Sequence, residues 1–185
     1  VFSDRELFAD MINGYYLRKE PDHTFVAEVN NQVVGYLTGS VNRFAHIGLA
    51  LNGIKPTMKA VGRFLRGKYG EHPQNKDFLK WLVTRAAFEM PSHPKNAAHA
   101  HFNLRDEFRY EGIGSAMVET ALERLGPKLQ RRGVETLYGE VFAHAGKSEE
   151  YFRDAGFDIF DKKRSTLFRD HVEGDVYLLC ITKTL

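Results

Sequence analysis

A short segment at positions 109–115 limits the fold and function of this chain more than any other part of its sequence. It follows a predicted strand at 97–104, precedes a predicted helix at 113–125, and contains Gly112 and Gly114. Glycine lets a backbone approach a ligand closely, and the first amides of a helix lack partners and lie at the positive end of its dipole. The segment therefore predicts a strand–loop–helix unit whose loop can bind a phosphate or pyrophosphate.

The spacing of these glycines separates the loop from two common nucleotide-binding motifs. The sequence has no Gly-x-x-x-x-Gly-Lys-Ser/Thr, and no third glycine completes Gly-x-Gly-x-x-Gly. Arg109, at the start of the segment, could add a charge-assisted contact to an anion. Because a Gly-x-Gly pair also occurs in strand-to-helix turns that bind nothing, the glycines alone leave that alternative open.

The hydrophobic pattern of the chain predicts one α/β domain over residues 1–185, with a helical insertion at 41–96. Ser3 and Glu6 form a capping box at the start of the first helix, and the insertion carries two amphipathic helix patterns. The elements predicted outside the insertion are a helix at 3–19, strands at 24–29, 33–40, 97–104 and 134–142, helices at 113–125 and 147–155, and an antiparallel pair at 157–168 and 175–183. This order is typical of a mixed sheet flanked by helices.

The composition argues against several functional classes. The formal net charge of +2 offers no electrostatic reason to expect nucleic acid. Cys180 is the single cysteine, which excludes an internal disulfide framework and fits a reducing cytosol, and its apolar neighbours predict a buried, inert thiol. No apolar run is long enough to span a bilayer, and no signal segment opens the chain. We therefore expect a cytoplasmic protein without nucleic-acid or membrane partners, and the start at Val1 indicates a trimmed chain or a fragment.

The motif Arg109-x-x-Gly112-x-Gly114 matches the Arg/Gln-x-x-Gly-x-Gly/Ala signature of the GNAT superfamily of N-acetyltransferases. The flanking segments that resemble the family are 25–28 and 34–36 for its second and third strands, 102–104 for its fourth strand, 106–108 before the loop, and 152–157 for its aromatic-x-x-x-Gly-Phe helix ending. The resemblance covers most of the chain outside the insertion. It implies a GNAT-like mixed, mostly antiparallel sheet flanked by helices.

A closer likeness concerns the segment before the loop. His99-Ala100-His101, with a helical insertion upstream, is similar to the acetyltransferase-like domains related to O-GlcNAc hydrolases. That subgroup includes domains of doubtful catalytic competence. The likeness therefore also favours a protein that keeps the fold without turning over a substrate.

The resemblance implies acetyl-CoA as co-substrate, with its pantetheine arm between the fourth and fifth strands, which splay apart in this family. Backbone groups near Asn103 and Leu104 would pair with the arm, and the amides that open the helix would hold the pyrophosphate. His144 occupies a position where the family often has an asparagine near the cofactor. The cofactor-binding residues that we expect are Asn103, Leu104, Arg109, Tyr110, Glu111, Gly112, Ile113, Gly114, Ser115 and His144.

The general acid departs from the family pattern. The family places a tyrosine in the helix after its fifth strand, and the matching residue here is Phe152, which cannot donate a proton. Tyr151, beside it, is the substitute that we expect to be catalytic. One residue turns a side chain about 100° around a helix, so a partly buried aromatic residue with a satisfied hydroxyl is the alternative for Tyr151.

His101 and Glu140 are the candidate general bases. His99, His101 and Asn103 share one face of their strand because side chains alternate, and histidine titrates near neutral pH. Glu140 lies on the strand that faces the same gap. The alternatives are hydrogen-bonded structural histidines and a solvated glutamate. Two histidines without further ligands do not predict a metal site.

These features predict transfer of an acetyl group from acetyl-CoA to an amine-bearing acceptor by direct attack in a ternary complex, since the one cysteine lies away from the loop. Two alternatives stay open: a CoA-binding domain without turnover, and an interaction domain whose insertion binds a partner. The family's first strand has no counterpart in this chain. An edge exposed by its loss could pair with a second chain, so a homodimer is a further expectation.

The insertion also carries a basic run. Its members are Lys55, Lys59, Arg63, Arg66 and Lys68. This pattern predicts the solvated face of an amphipathic helix. The alternatives are a lid that attracts an acidic substrate or the 3′-phosphate of CoA, and contact with a membrane surface.

Overall fold

The fold is a single twisted sheet with helices on both faces. A computed structural model describes residues 3–69, 73–109, 111–145, 147–168 and 171–185. The helices are α1 (Arg5–Lys19), α2 (Ala45–Leu65), α3 (Pro73–Thr84), α4 (Ala86–Glu89), α5 (Ile113–Gln130) and α6 (Glu149–Asp154). The strands are β1 (Thr24–Val29), β2 (Gln32–Gly39), β3 (Ala97–Leu104), β4 (Thr136–Ala143), β5 (Asp158–Ser165) and β6 (Val176–Thr184).

The sheet has six strands in the order β1-β2-β3-β4-β6-β5. Every neighbouring pair is antiparallel except β3 and β4, which are parallel. The predicted mixed, mostly antiparallel sheet is therefore confirmed. β1 and β5 form the two edges of the sheet. None of the helices in the described ranges is long and apolar enough to cross a membrane.

The main hydrophobic core lies between α5 and one face of the sheet. Leu125 and Leu129 of α5 are fully buried against Leu37 of β2 and Leu137 of β4. α5 continues past Pro127 and is closed by Gly133, whose φ of +69° suits a residue without a Cβ. Because α5 starts at the glycine loop, this core holds the loop in place against the strands.

The start of α1 differs from the prediction. Asp4, not Ser3, caps the helix, since its carboxylate accepts a hydrogen bond from the Leu7 amide at 3.4 Å. Ser3 instead donates its own backbone N–H to Asn75 of α3 at 2.8 Å. The capping box was therefore wrong, because a tertiary contact to α3 engages the serine.

The described part of residues 41–96 contains α2, α3 and α4 and no strand, and it covers the sheet face opposite α5. Asp4 connects this layer to α1, since its carboxylate binds Arg63 and accepts a hydrogen bond from the Tyr69 hydroxyl at 2.6 Å. The other members of the basic run, Lys55, Lys59, Arg66 and Lys68, are exposed. Their exposure favours the solvated helix face among the alternatives.

Candidate active site

The central feature of the site is the divergence of β3 and β4. The two strands pair at three positions, Ala97–His99 against Thr136–Tyr138. Beyond these, β3 continues along β2 and β4 continues along β6, so a wedge opens between them. Gly139 lies where the strands part, and a Cβ there would lie 2.8 Å from the Ala100 carbonyl oxygen. Glycine is required at this point because any side chain would collide with backbone.

Two cavities lie on opposite faces of the sheet, and both are lined by residues of β3 and β4 beyond the three paired positions. Alternation along β4 directs Val141 to the α5 face and Glu140 to the face covered by α1 and α2. On β3, His101 likewise faces the side covered by α1 and α2, and Phe102 faces the α5 side. We call the cavity on the α5 side the loop cavity and the one on the other side the helix cavity.

The loop cavity has a volume of about 480 Å³ and contains the predicted glycine loop. Gly112 is the N-cap of α5 with φ +77°, and no side chain caps the helix there. Gly114 and Ser115 of the first turn also line the cavity, as do Asn103 and Leu104 of β3. Uncapped amides at a helix N-terminus, facing a cavity of this size, suit a phosphorylated ligand.

Two basic side chains increase the positive potential of the loop cavity. Arg109 and Lys147 both line it. Burial lowers the pKa of the Lys147 ammonium, and the neighbouring positive charge of Arg109 lowers it further. Asp106 forms an ion pair with Arg109 at 2.6 Å, but its side chain is largely exposed to solvent. A bound anion between Arg109 and Lys147 would relieve their mutual repulsion.

The predicted cofactor residues divide into three groups. Those that line the loop cavity are Asn103, Leu104, Arg109, Gly112, Gly114 and Ser115. Among the described residues, Glu111, Ile113 and His144 do not: Glu111 is exposed, and Ile113 packs against the α5 core. Tyr110 lies outside the described residues. Contacts of these four residues with a cofactor stay predictions.

Lys147 was missed by the sequence reasoning, which placed the contact at His144. A tight turn after β4, closed by two backbone hydrogen bonds between these residues, separates them. This turn carries Lys147 to the loop cavity, with its ammonium 4.8 Å from the Phe152 ring centroid. A lone lysine just after a strand has no sequence signature, so only a search for cations near the loop could have found it.

The candidate acid lies in the same cavity. Tyr151 and Phe152 of α6 both line the loop cavity, so the offset of one residue does not remove Tyr151 from it. Phe152 is 2% exposed and packs with Leu179 and Ile181 of β6. Phe152 is therefore part of the hydrophobic core, and Tyr151 supplies a hydroxyl group to the lining of the loop cavity.

The helix cavity is larger, about 1290 Å³, and contains the candidate bases. Glu140 and His99 are joined by a hydrogen bond of 2.6 Å between Oε2 and Nε2. The other ring nitrogen of His99 is hydrogen-bonded to the hydroxyl of Tyr16, a fully buried residue of α1. His101 is hydrogen-bonded to the Tyr36 hydroxyl at 3.3 Å. Sequence reasoning did not find Tyr16, which is distant in the chain.

Burial and hydrogen bonding set the charges of this network. Burial raises the pKa of the Glu140 carboxyl, but attraction to His99 and its hydrogen bond outweigh burial, and the net pKa is below the usual value. Burial raises the pKa of Tyr16 well above its ordinary value, and Glu140 raises it further. Glu140 is therefore a carboxylate at neutral pH, and Tyr16 keeps its proton.

His101 is neutral at physiological pH. Burial lowers its pKa from 6.5 to about 4, with a further contribution from His99. Its neutral ring can accept a proton or a hydrogen bond from a ligand in the helix cavity. Both candidate bases thus line one cavity in forms able to accept a proton.

The lowered pKa of His101 predicts a dependence of stability on pH. Its folded pKa of about 4 lies below the ordinary 6.5, so between these values the unfolded chain binds more protons. The contribution of His101 to the free energy of unfolding is therefore fully present above pH 6.5 and is lost as the pH falls toward 4. Because the side chain is partly exposed, we expect its contribution between pH 7 and pH 5 to be about 1–2 kcal/mol.

Urea unfolding of the parent and of His101→Gln at both pH values measures this contribution. The variant should lose about 1 kcal/mol less than the parent on acidification. His171→Gln, at an exposed histidine, is the matched control and should follow the parent. Equal losses in parent and His101→Gln would show that His101 does not control the acid response.

Two further predictions concern sulfur and metals. Cys180 is fully buried in β6, and burial raises its pKa to about 12, which confirms the buried thiol. Within the described ranges, no group of three or more His, Cys, Asp or Glu side chains is arranged to hold a metal ion.

Comparisons with known proteins bear on the fold. No protein-family model matches the sequence, and no curated protein matches it significantly. Among similar solved structures, SsHAT has a TM-score of 0.51 at 17% identity, over 99% of this chain and 82% of that chain. A ribosomal-protein-alanine N-acetyltransferase from Brucella melitensis has a TM-score of 0.47 at 16% identity, over 94% and 76%.

A third similar structure, from Bacillus anthracis str. Ames, is designated a streptothricin acetyltransferase and was crystallised in complex with acetyl coenzyme A. It has a TM-score of 0.45 at 10% identity, over 88% of this chain and 61% of that chain. Of the three, SsHAT carries the structural argument, since its TM-score exceeds 0.5. The chain shares the fold of SsHAT, and the predicted mixed α/β sheet flanked by helices is confirmed. The closer likeness to O-GlcNAc hydrolase domains is not confirmed.

Proposed function

We propose that this chain transfers an acetyl group from acetyl-CoA to an amine by direct attack in a ternary complex. The observation that carries the proposal is the pair of cavities on opposite faces of the sheet, both lined by the diverging parts of β3 and β4. One contains an uncapped helix N-terminus and two cations, and the other contains a buried carboxylate. These are complementary to a pyrophosphate and to an ammonium group, respectively.

Each candidate residue then has a defined role. The α5 amides, Arg109 and Lys147 bind the pyrophosphate, while acetyl-CoA supplies the thioester carbonyl. Glu140 binds the acceptor ammonium and takes one of its protons, with His101 as the second candidate base. The amine attacks the carbonyl carbon, a C–N bond forms and the C–S bond breaks. The Tyr151 hydroxyl protonates the thiolate and regains a proton from solvent. The acceptor nitrogen loses its second proton to solvent, and the amide keeps the third.

His99 and Tyr16 act by position in this scheme. His99 holds Glu140 through its 2.6 Å hydrogen bond, and Tyr16 holds the opposite edge of the same ring. A fixed carboxylate loses less entropy when it binds an amine than a mobile one. Cys180 takes no part, because its thiol is buried away from the loop cavity.

A calorimetric titration with acetyl-CoA tests the cofactor half of the proposal. The parent should bind with micromolar affinity, and Gly114→Asp should weaken binding at least tenfold, because a new carboxylate beside a pyrophosphate costs more than about 1.4 kcal/mol. A Cβ at Gly114 meets no atom within 4 Å, so the side chain fits the folded protein. Ala116→Asp is the matched control, since Ala116 is exposed in the same turn and does not line the loop cavity.

Equal affinities in Gly114→Asp and Ala116→Asp would contradict a pyrophosphate at the loop. A well-folded parent that binds no acetyl-CoA would refute the transferase.

A CoA-binding domain without turnover is the second candidate, and Phe152 favours it. The residue matching the family acid lacks a hydroxyl and is packed in the core. This candidate predicts acetyl-CoA binding in the titration above but no release of CoA with any amine. Activity gained by Phe152→Tyr would support it further.

A further inference from the structure

The wall of the helix cavity is mostly apolar. Side chains from α1, α2, α3 and α4 contribute to it, among them Phe8, Met11, Leu49, Ile54, Trp81 and Phe88. Among its described lining residues, the charged side chains are Glu140 and Lys163. Lys163 is exposed to solvent, whereas Glu140 is largely buried. An occupant would therefore meet one carboxylate at the buried end and apolar surface along most of its length.

The apolar surface continues to the mouth of the cavity. Met58 of α2 is 70% exposed and Phe88 of α4 is 81% exposed, and both line the cavity. Ile54, one turn before Met58, is 52% exposed and lines it too. Exposed apolar side chains grouped around a cavity mark a binding site for an apolar ligand.

A row of aromatic rings in the cavity wall leads to the carboxylate. His93 stacks on Tyr138 with ring centroids 5.1 Å apart, and His46 lies 4.7 Å from His93. Tyr138 is in turn 4.9 Å from His99, which binds Glu140. This row of rings presents flat surface against which an alkyl chain or an aromatic ring can pack.

Polar acceptors do not match this surface. A polyamine or an aminoglycoside would need several carboxylates, because each buried ammonium without a partner is costly. The helix cavity offers one carboxylate among its described lining residues. An acceptor with a single ammonium group would pair with Glu140, and its apolar remainder would pack against the apolar wall.

We infer that the acceptor is a primary amine on an apolar alkyl or aromatic body, with the ammonium at Glu140 and the body along α1, α2 and α4. The inference rests on the proposed function and specifies its acceptor class. In such a site each added methylene leaves water on binding, so the rate with limiting amine should increase with chain length.

A homologous series of n-alkylamines from ethylamine to hexylamine tests the inference. CoA release is followed with a thiol-reactive chromophore, and the buried Cys180 thiol gives little background. We expect kcat/KM to increase about two- to fourfold per methylene, since a buried methylene contributes up to about 0.8 kcal/mol. Hexylamine should exceed 1,6-diaminohexane by at least about tenfold, because the second ammonium would enter an apolar cavity.

Ile54→Lys places a charge in the wall and should flatten the dependence of kcat/KM on chain length. Leu51→Lys is the matched control: Leu51 lies on the same helix, is 64% exposed and does not line the helix cavity. It should retain the parental dependence. This pair separates the cavity wall from a general effect of charge on α2.

The outcomes distinguish the inference from the function on which it rests. If kcat/KM is constant across the series, or larger for the diamine, the inference of an apolar acceptor is wrong, but the proposed acetyl transfer is unaffected. An unchanged chain-length dependence in Ile54→Lys overturns the helix cavity as the acceptor site. Binding of acetyl-CoA without acetylation of any amine overturns the transferase itself.

Discussion

Glu140→Gln is expected to lower kcat/KM for the acceptor amine by about 10²–10⁴-fold, the range that a positioned general base contributes. Gln is almost isosteric, and its amide oxygen can still accept the hydrogen bond from His99 Nε2, so the network around Tyr16 is preserved. What is lost is the negative charge that binds an ammonium and the carboxylate that takes its proton. Steady-state rates with hexylamine as acceptor measure the loss.

The same variant separates the two faces of the sheet. Glu140 faces the helix cavity and does not line the loop cavity, so the affinity for acetyl-CoA should stay within about twofold of the parent. Glu123→Gln removes a charge from an exposed position on α5 and serves as the control for net charge. A parental kcat/KM in Glu140→Gln would eliminate Glu140 as the base and leave His101 as the remaining candidate.

The acidic side of the rate profile provides a further check on Glu140. Its pKa lies below the usual value because of His99, so Glu140 remains ionised through the neutral range. Any loss of rate near pH 6–7 must therefore come from a group other than Glu140. An acid limb in that range that disappears in Glu140→Gln would contradict the lowered pKa.

Leu125→Ala should destabilise the protein by about 2–5 kcal/mol, the range for a leucine removed from a packed core. Leu125 is fully buried in α5, among Leu37, Ala98 and Leu137 of three strands. The neighbours cannot all move into the space left, since they belong to a sheet with fixed register. The free energy of unfolding in urea, compared at equal m-values, measures the effect.

The loss of stability should come from the removal of a buried side chain and not from a substitution in α5 as such. Glu123→Ala lies on an exposed position of the same helix and should change stability by less than about 0.5 kcal/mol. Saturating acetyl-CoA at about 100 times Kd should restore roughly 2.7 kcal/mol to Leu125→Ala if α5 carries the cofactor loop. A loss below about 1 kcal/mol would show that the α5 core is more loosely packed than the structure indicates.

Local sequence was sufficient for elements whose conformation depends on near neighbours. The strands predicted at 24–29 and 33–40 are confirmed and pair as the β1–β2 hairpin, where Asn30 and Asn31 in the turn adopt positive φ. The β3–loop–α5 unit was predicted from glycine spacing and apolar periodicity. At the start of α1 the same reasoning was wrong, because Asn75 of α3 engages Ser3 and Asp4 becomes the cap.

Only part of the candidate site could be predicted from local sequence. His101 and Glu140 were predicted from strand alternation, and the structure brings them to one cavity. Tyr16 was not found, since it lies 83 residues from His99 in sequence and reaches it only when α1 packs on the sheet. Lys147 was also missed, because the turn after β4 determines which side chain faces the loop cavity.

The sequence by itself determined the fold class, the glycine loop and the buried cysteine, because glycine conformation, strand alternation and apolar periodicity act over a few residues. Tertiary structure alone decided the wedge at Gly139, the Tyr16–His99–Glu140 network and the apolar wall of the helix cavity. These depend on how distant segments meet, and on burial that shifts the pKa of each group. Local pattern contains neither the distances nor the burial that determine them.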